Sequence, residues 1–367
     1  MVAFSVSRLA WLLLAAAAPA ASQLPQIGSI DYYGLRRISP ERIRKALHIA
    51  EGSALPASKG AMEDKLDGIP GVVASHVEAV CCDGGQVHLF IGLEERGAPH
   101  FAARSEPRGD ASLPPEIVEA YHSFLESIRG ADRAVAEDLT RGHSLLADPT
   151  ARVIQERFVG LAELHLGALR KVLRESTDEN QRAIAAYVIG YFPTKRLVVD
   201  DLQLALQDPS PAVRGQAMRA LGAIAVLARK DPELGIQVQP TWFVELLNSV
   251  VWSDRVRAVE VLLTLSDKRD EQVLRTIEER GMEPLIEMAR WKSLRHAIGP
   301  FTLFGRVAGL KEQEIQRAWT AGDREKPIQQ YLRDRKKRKK DPYYGPPPLP
   351  PDYVPPPYPG GVPLPRR

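Results

Sequence analysis

The sequence predicts a multidomain chain: a small α+β domain of order βααββ, then an all-α superhelix of stacked helix pairs, then a disordered proline-rich tail. Three observations predict it. The stretch from Asp201 to Ala225 reads as two short antiparallel helices around an Asp-Pro turn and is echoed on both sides; apolar residues alternate in two runs before residue 95; and twelve prolines fall between Pro342 and Arg367. The length of 367 residues is a soft prior for two domains, and 44% hydrophobic with 26% charged residues is ordinary globular usage. The formal net charge of +3 is small and unevenly spread.

At the N-terminus Arg8 stands before the apolar run Leu9 to Ala18, too short to span a bilayer, which needs about 20 residues. The small residues Ala18, Ala20 and Ser22 follow it in the pattern of a signal-peptide cleavage site, so residues 1–22 read as an export signal cut after Ala20 or Ser22. The alternative is an uncleaved anchor. Either places the protein in the periplasm or at the cell surface.

Residues 26–96 form the small domain. Ile27, Ile30 and Tyr32 lead a short strand into Gly34; Ser39-Pro40-Glu41 starts a helix with Ile43 and Leu47 on its apolar face. A second helix runs from Ala57 to Leu66 and ends at Ile69-Pro70-Gly71. Val73, Ser75, Val77 and Ala79 share one face of a strand, Asp83-Gly84-Gly85 turns the chain, and Val87, Leu89, Ile91 and Leu93 alternate again. With Gly34, Ile38, Ile43, Leu47, Gly52, Leu66, Pro70, Val72, Val77, Val87, Leu89, Leu93 and Glu94 in place, this stretch resembles a POTRA domain. The resemblance implies an envelope module that binds polypeptides, often by adding a strand to a sheet edge. The β-barrel that follows such modules in outer-membrane assembly proteins is replaced here by helices, so barrel function does not carry over.

Residues 97–115 lose periodicity and gain Pro, Gly and Ser, which reads as a flexible linker. Residues 116–325 are helical in period. Pro114 to Ile128 and Asp132 to Leu146 are expected as helices capping the superhelix, and the repeat proper follows. In its clearest copy Leu202, Leu204, Ala205 and Leu206 bury one face of a short helix, Asp208-Pro209 stops it, and Ser210 and Pro211 start a second. Val213, Ala217, Ala220, Leu221 and Ile224 then recur at helical spacing. Thirty-two residues upstream, Arg182, Ala185, Ile189 and Gly190 take the places of Arg214, Ala217, Leu221 and Gly222; forty-three downstream, Val256, Arg257 and Ala258 take those of Val213, Arg214 and Gly215. Leu294 to Leu310 fits a more degenerate unit.

Asp208, Val213, Arg214, Ala217, Ala220, Leu221 and Gly222 resemble a HEAT-type repeat, and the resemblance covers roughly residues 161–310. It implies a superhelix with an extended concave side, in which Asp208 and the arginines Arg182, Arg214 and Arg257 tie successive turns together. It is specific for fold and unspecific for function.

The tail, residues 326–367, opens with the strongest local charge of the chain: Arg335, Lys336, Lys337, Arg338, Lys339 and Lys340 lie in a run of seven positive residues and one negative. The prolines behind it, interleaved with tyrosines, cannot build a core and read as a polyproline-biased extension. The run is expected either to dock on anionic lipid or cell-wall polymer or to act as a solvated, solubilising tail. Export argues against nucleic acid as its partner.

Catalytic, metal-binding and cofactor-binding motifs are not found. The eight histidines are scattered, and no HExxH, GxGxxG or phosphate loop occurs. His143, Ser144 and Asp148 are too closely spaced for a triad and read as capping residues. Cys81 and Cys82 are adjacent; they read as one buried and one exposed thiol, as an intermolecular bridge, or as a strained redox pair. Trp242, Trp252 and Trp291 are the candidate partner-binding anchors, where they line the concave side. The whole reads as a non-enzymatic adaptor exported to the bacterial envelope, binding protein partners through the sheet edge of the small domain and the concave helical surface, with no cofactor. The alternatives are a lyase-like repeat enzyme and a tether acting through the tail.

Overall fold

The computed structural model describes residues 25–83, 85–129 and 136–338. The expected export signal and the prolines of the tail lie outside the described residues. The chain divides into two compact units, 1–98 and 99–367.

The first unit holds β1 (Gln26–Tyr33), α1 (Pro40–Leu47), α2 (Lys59–Asp67), β2 (Val72–Asp83) and β3 (Gln86–Glu95). The longest apolar alternation, β3, takes the centre of the sheet, parallel to β1 and antiparallel to β2. Ile27, Ile30, Ile43, Leu47, Leu66, Val77, Leu89 and Ile91 close one core between sheet and helices. Ser39 and Ser58 cap the two helices by accepting from the N–H groups of Arg42 and Ala61. The β2 face differs from expectation: a bulge between Val72 and Ala74 shifts the alternation, so Val72 packs on the core and Val73 is 54% exposed. Glu95, rather than Glu94, is the buried acid at the end of β3; its carboxylate accepts the backbone N–H groups of Arg36, Arg37 and Ile38 at 2.8–3.1 Å. Gly34 makes the turn before them at φ 76°, where a Cβ would lie 2.2 Å from the Leu93 carbonyl oxygen. Cys81 is exposed and disulfide-bonded, which removes the reading of free thiols at this hairpin.

The second unit is helical: α3 (Pro115–Ile128), α4 (Pro149–Leu164), α5 (Leu166–Glu175), α6 (Glu179–Ile189), α7 (Val199–Ala205), α8 (Pro211–Lys230), α9 (Thr241–Leu246), α10 (Trp252–Leu265), α11 (Glu271–Arg280), α12 (Met282–Ala289), α13 (Leu294–Val307), α14 (Glu312–Thr320) and α15 (Glu325–Arg338). The helices pair as α5 with α6, α7 with α8, and α9 with α10, and the second helices α6, α8, α10 and α13 pack successively into one row. Small residues set that spacing: a Cβ on Gly190 would lie 2.7 Å from the Cβ of Ala220. Val213, Ala217, Leu221 and Ile224, the apolar stripe expected on α8, are all fully buried.

Three stretches depart from the sequence reading. Residues 137–146 are not a helix: Gly142 takes φ 73°, and Glu137–Asp138 pairs with Leu145–Leu146 in a small antiparallel ribbon. Residues 99–114 are not a free linker but a strap pinned to the helical unit. The Arg104 guanidinium donates to the Leu173 carbonyl and to Asp208, both at 2.8 Å; Gly109 bridges to Ser176; and the Arg214 guanidinium lies 5.1 Å from the centre of the Phe101 ring. Extended chain without periodicity can satisfy its polar groups on helix ends as well as in water, which composition alone does not reveal. The helical part also runs past the boundary expected at 325. Tyr331 is buried, packs edge-on against Phe304 and donates to Glu278 at 3.1 Å, so α15 carries the chain to Arg338.

Candidate functional site

The turns between paired helices hold a ladder of buried charge. Arg182 donates to both oxygens of Asp208 at 2.9 Å and, through Nη1, to the carbonyls of Ser176 and Thr177. Arg214 repeats the pattern one pair further on, donating to Asp254 at 2.6 and 3.0 Å and to the carbonyls of Asp208 and Pro209. Burial alone would raise the Asp208 carboxyl, but hydrogen bonds from Arg182, Arg104 and the Ser210 N–H hold it below the usual carboxylate range. Ser210 occupies the N-cap position of α8 without a side-chain cap bond, and Asp208 accepts its backbone N–H at 2.9 Å.

The third rung corrects the sequence reading. Arg255, not Arg257, is the buried arginine of α10, donating to the Ser249 carbonyl at 2.6 Å and to Glu287 at 3.1 Å. The signal was present in the sequence: Arg182 and Arg214 each stand four residues after their N-caps, Asp178 and Ser210, and the same count from Val251 gives Arg255. The Val-Arg dipeptide at 256–257 matched the wrong frame. Arg257 is therefore released from the ladder: it is exposed, with its Nε 3.8 Å from where a Cβ on Gly215 of α8 would stand, and makes no hydrogen bond or ion pair among the described residues.

Arg257 stands on a groove that follows the row of second helices. Between α10 and α13 lies an open cleft of about 440 Å³, lined by Trp252, Val256, Arg257, Glu260, Leu263, Arg295, His296 and Ile298. Arg257 and Glu260 also line a second depression of about 190 Å³ between α8 and α10, and Arg219 joins that one to a small niche beside Tyr187, Tyr191 and His143. Arg219 is held by Glu137 at 2.5 Å, whereas Arg295, like Arg257, is exposed and makes no bond or ion pair among the described residues. The protein around Glu260 raises its carboxyl through desolvation, against the pull of Arg257.

The three candidate tryptophans separate. Trp252 lines the α10/α13 cleft with its ring edge-on to His296, centroids 5.2 Å apart. Trp291 is 2% exposed and belongs to the core, so it cannot anchor a partner. Trp242 is half-buried on α9, outside this cleft. Of the basic run, Arg335, Lys336, Lys337 and Arg338 continue α15, with Lys336 and Lys337 exposed; Lys339 and Lys340 lie outside the described residues.

Behind the niche is a polar cluster that sequence reading missed. Lys195, 2% exposed, donates to the Gly190 carbonyl at 2.7 Å and lies 3.1 Å from His143 Nδ1. Burial draws its ammonium down to about 7, and burial together with the Lys195 cation draws His143 down to about 4. Ser144 bonds to Glu137, Gln155 and Arg219 rather than to His143, and Asp148 caps α4 through the Ala151 N–H. These three residues therefore form no triad. No group of three His, Cys, Asp or Glu side chains is placed to hold a metal ion among the described residues.

Fold and ladder together define a helical repeat architecture, and part of it matches a known repeat family. Residues 166–236 match the family model of HEAT repeats, and no curated protein matches the chain. Among solved structures, the chain is similar to computationally designed armadillo repeat proteins for modular peptide recognition, at 18% identity over 48% of this chain and 83% of that one, with a TM-score of 0.33. It is similar also to a designed armadillo repeat protein in complex with the peptide (KR)4, at 17% identity over 51% and 95% of the two chains, with a TM-score of 0.30.

Proposed function

We propose that this HEAT-like repeat protein is a non-enzymatic scaffold that binds protein partners in the cell envelope. The observation that carries the reading is the groove along α8, α10 and α13, where exposed, unpaired guanidinium groups stand beside exposed apolar side chains such as Ile298, 43% exposed. Stacked repeats build such extended surfaces because each contributes the same helix to one row. The first unit supports a second contact. Its order βααββ and its long outer strand β2 suit a POTRA-like module that accepts an added strand. Export rests on Arg8, the apolar run behind it and the small residues that follow.

Crosslinking in intact cells tests the reading. A photo-reactive residue at Val256 is expected to capture one protein partner, recovered by mass spectrometry from the envelope fraction. A capture pattern no different from that of a probe placed at the exposed Leu197, which does not line the groove, would overturn it.

A further inference from the structure

Between α10 and α13 stand two arginines that make no hydrogen bond or ion pair among the described residues. Arg257 comes from the middle of α10 and Arg295 from the first turn of α13, and both line the same cleft. Elsewhere in the second unit guanidinium groups are used: Arg170, Arg182, Arg214, Arg219, Arg255 and Arg306 each hold a carboxylate or a carbonyl of a neighbouring element. An arginine fork left in solvent costs little, but two lining one cleft form a local positive field. The opposing charge there is a single carboxylate, Glu260, beside Arg257, and the cleft also carries the imidazole of His296. Apart from Ser253, the rest of the lining is apolar, including Val256, Leu263, Met288 and Ile298, with the Trp252 ring beside them. A groove of this make-up matches a ligand whose negative charge and bulky apolar group lie a few ångströms apart on an extended backbone.

We infer that the α10/α13 cleft binds an acidic linear segment of the partner protein, with an Asp or Glu carboxylate held between Arg257 and Arg295 and a neighbouring large apolar side chain seated against Val256, Leu263 and Ile298. The inference rests on the scaffold reading and deepens it by naming the partner's chemistry. Arginine is the suited residue type because its planar fork meets a carboxylate through two parallel N–H donors. The apolar floor supplies the affinity that an exposed ion pair does not.

Fluorescence anisotropy with the full chain tests it, using three labelled probes: a twelve-residue peptide alternating Asp with Leu and Phe, its counterpart with Lys in place of Asp, and a single-stranded oligothymidine of similar negative charge. The acidic peptide is expected to bind at least tenfold more tightly than the Lys peptide and to weaken with added salt. The double variant Arg257→Gln/Arg295→Gln is expected to lose at least tenfold in that affinity at an unchanged melting temperature, since neither side chain makes a hydrogen bond or ion pair among the described residues. Equal binding of the acidic and Lys peptides, or acidic-peptide binding that survives the double variant, overturns the inference. Tighter binding of oligothymidine than of the acidic peptide, lost in the same variant, also overturns it, in favour of nucleic acid. The same double variant separates the two readings in cells. A partner still captured from Val256 in the variant sinks the acidic-segment inference and leaves the scaffold standing, whereas no partner in the unaltered chain sinks the scaffold.

Discussion

Arg182 holds Asp208 through two parallel hydrogen bonds, Nε to Oδ2 and Nη2 to Oδ1, each 2.9 Å long, with both side chains out of contact with water. The pair joins the N-terminal turn of α6 to the turn before α8, so it fixes how one helix pair sits on the next. Desolvating two ions offsets most of their attraction, and the pair is better evidence of geometry than of net stability. Removing one partner is a different matter. Arg182→Leu leaves the Asp208 carboxylate buried with only Arg104 to neutralise it, and leaves the carbonyls of Ser176 and Thr177 without their donor. The expected cost is about 3–5 kcal/mol in urea unfolding. The double variant Arg182→Leu/Asp208→Leu is expected to recover part of that loss, and a double variant no better than the single would contradict this account.

The strap gives a local rather than global prediction. Arg104 makes two side-chain bonds, while its N–H donates to the Gln207 carbonyl at 2.7 Å, and further along Thr177 N–H donates to the Gly109 carbonyl at 2.9 Å. Arg104→Ala should cost about 1.5–3 kcal/mol where the strap is seated, because both lost bonds are charge-assisted. Hydrogen exchange reads this directly: the amides of Arg104, Gly109 and Thr177 are expected to exchange faster by tenfold or more, with the α10 and α13 amides unchanged. Unchanged protection along the strap would show that its backbone bonds hold it without Arg104.

Much of this architecture is legible in the sequence, and the failures have physical causes. The α8 stripe is readable because burial imposes a 3.6-residue period on Val213, Ala217, Leu221 and Ile224. The Arg ladder is half-readable: two rungs lie 32 residues apart, but the loop before Trp242 lengthens the next unit, and a dipeptide match then selects Arg257 over Arg255. The Lys195–His143 contact spans 52 residues and carries no period at all, so nothing local announces it. The strap fails for the opposite reason, since its Pro, Gly and Ser content is what either a mobile linker or a pinned extended segment requires. Trp291 and Trp252 look alike in sequence, and only packing sends one to the core and the other to the cleft.

Gly190 tests how tightly the row of second helices is packed. Its backbone is right-handed helical, φ −60° and ψ −20°, so alanine would gain up to about 1 kcal/mol in helix propensity if space were free. The space is taken: the added Cβ would meet the Ala220 Cβ at 2.7 Å. Overpacking of this kind costs about 1–3 kcal/mol, so Gly190→Ala is expected to lower the melting temperature despite the favourable propensity. Adding Ala220→Gly should restore part of the loss by opening the same contact. A Gly190→Ala variant that melts higher than the unaltered chain would mean that α6 and α8 separate at little cost.

Lys195 makes the folding free energy depend on pH in a window where few groups titrate. Its ammonium falls from an ordinary 10.5 to about 7 on folding, through burial, so between those values the unfolded chain holds more of the proton than the folded chain does. Stability therefore rises with pH from about 7 toward 10.5, and the burial penalty is fully present below 7. His143 acts in the same direction lower down: its folded value of about 4 lies below the ordinary 6.5, so stability is lost as pH falls through that interval. In Lys195→Met the upper window disappears, while the lower one remains through burial of His143 but narrows, because the Lys195 cation no longer draws the imidazole down. The variant also leaves the buried Gly190 carbonyl without its donor, so it should be less stable than the unaltered chain at pH 10, with the difference shrinking or reversing at pH 6. Urea unfolding followed by circular dichroism at pH 6, 8 and 10 separates the cases. Stability curves that stay parallel across that range would mean that Lys195 keeps its ordinary proton affinity in the folded protein.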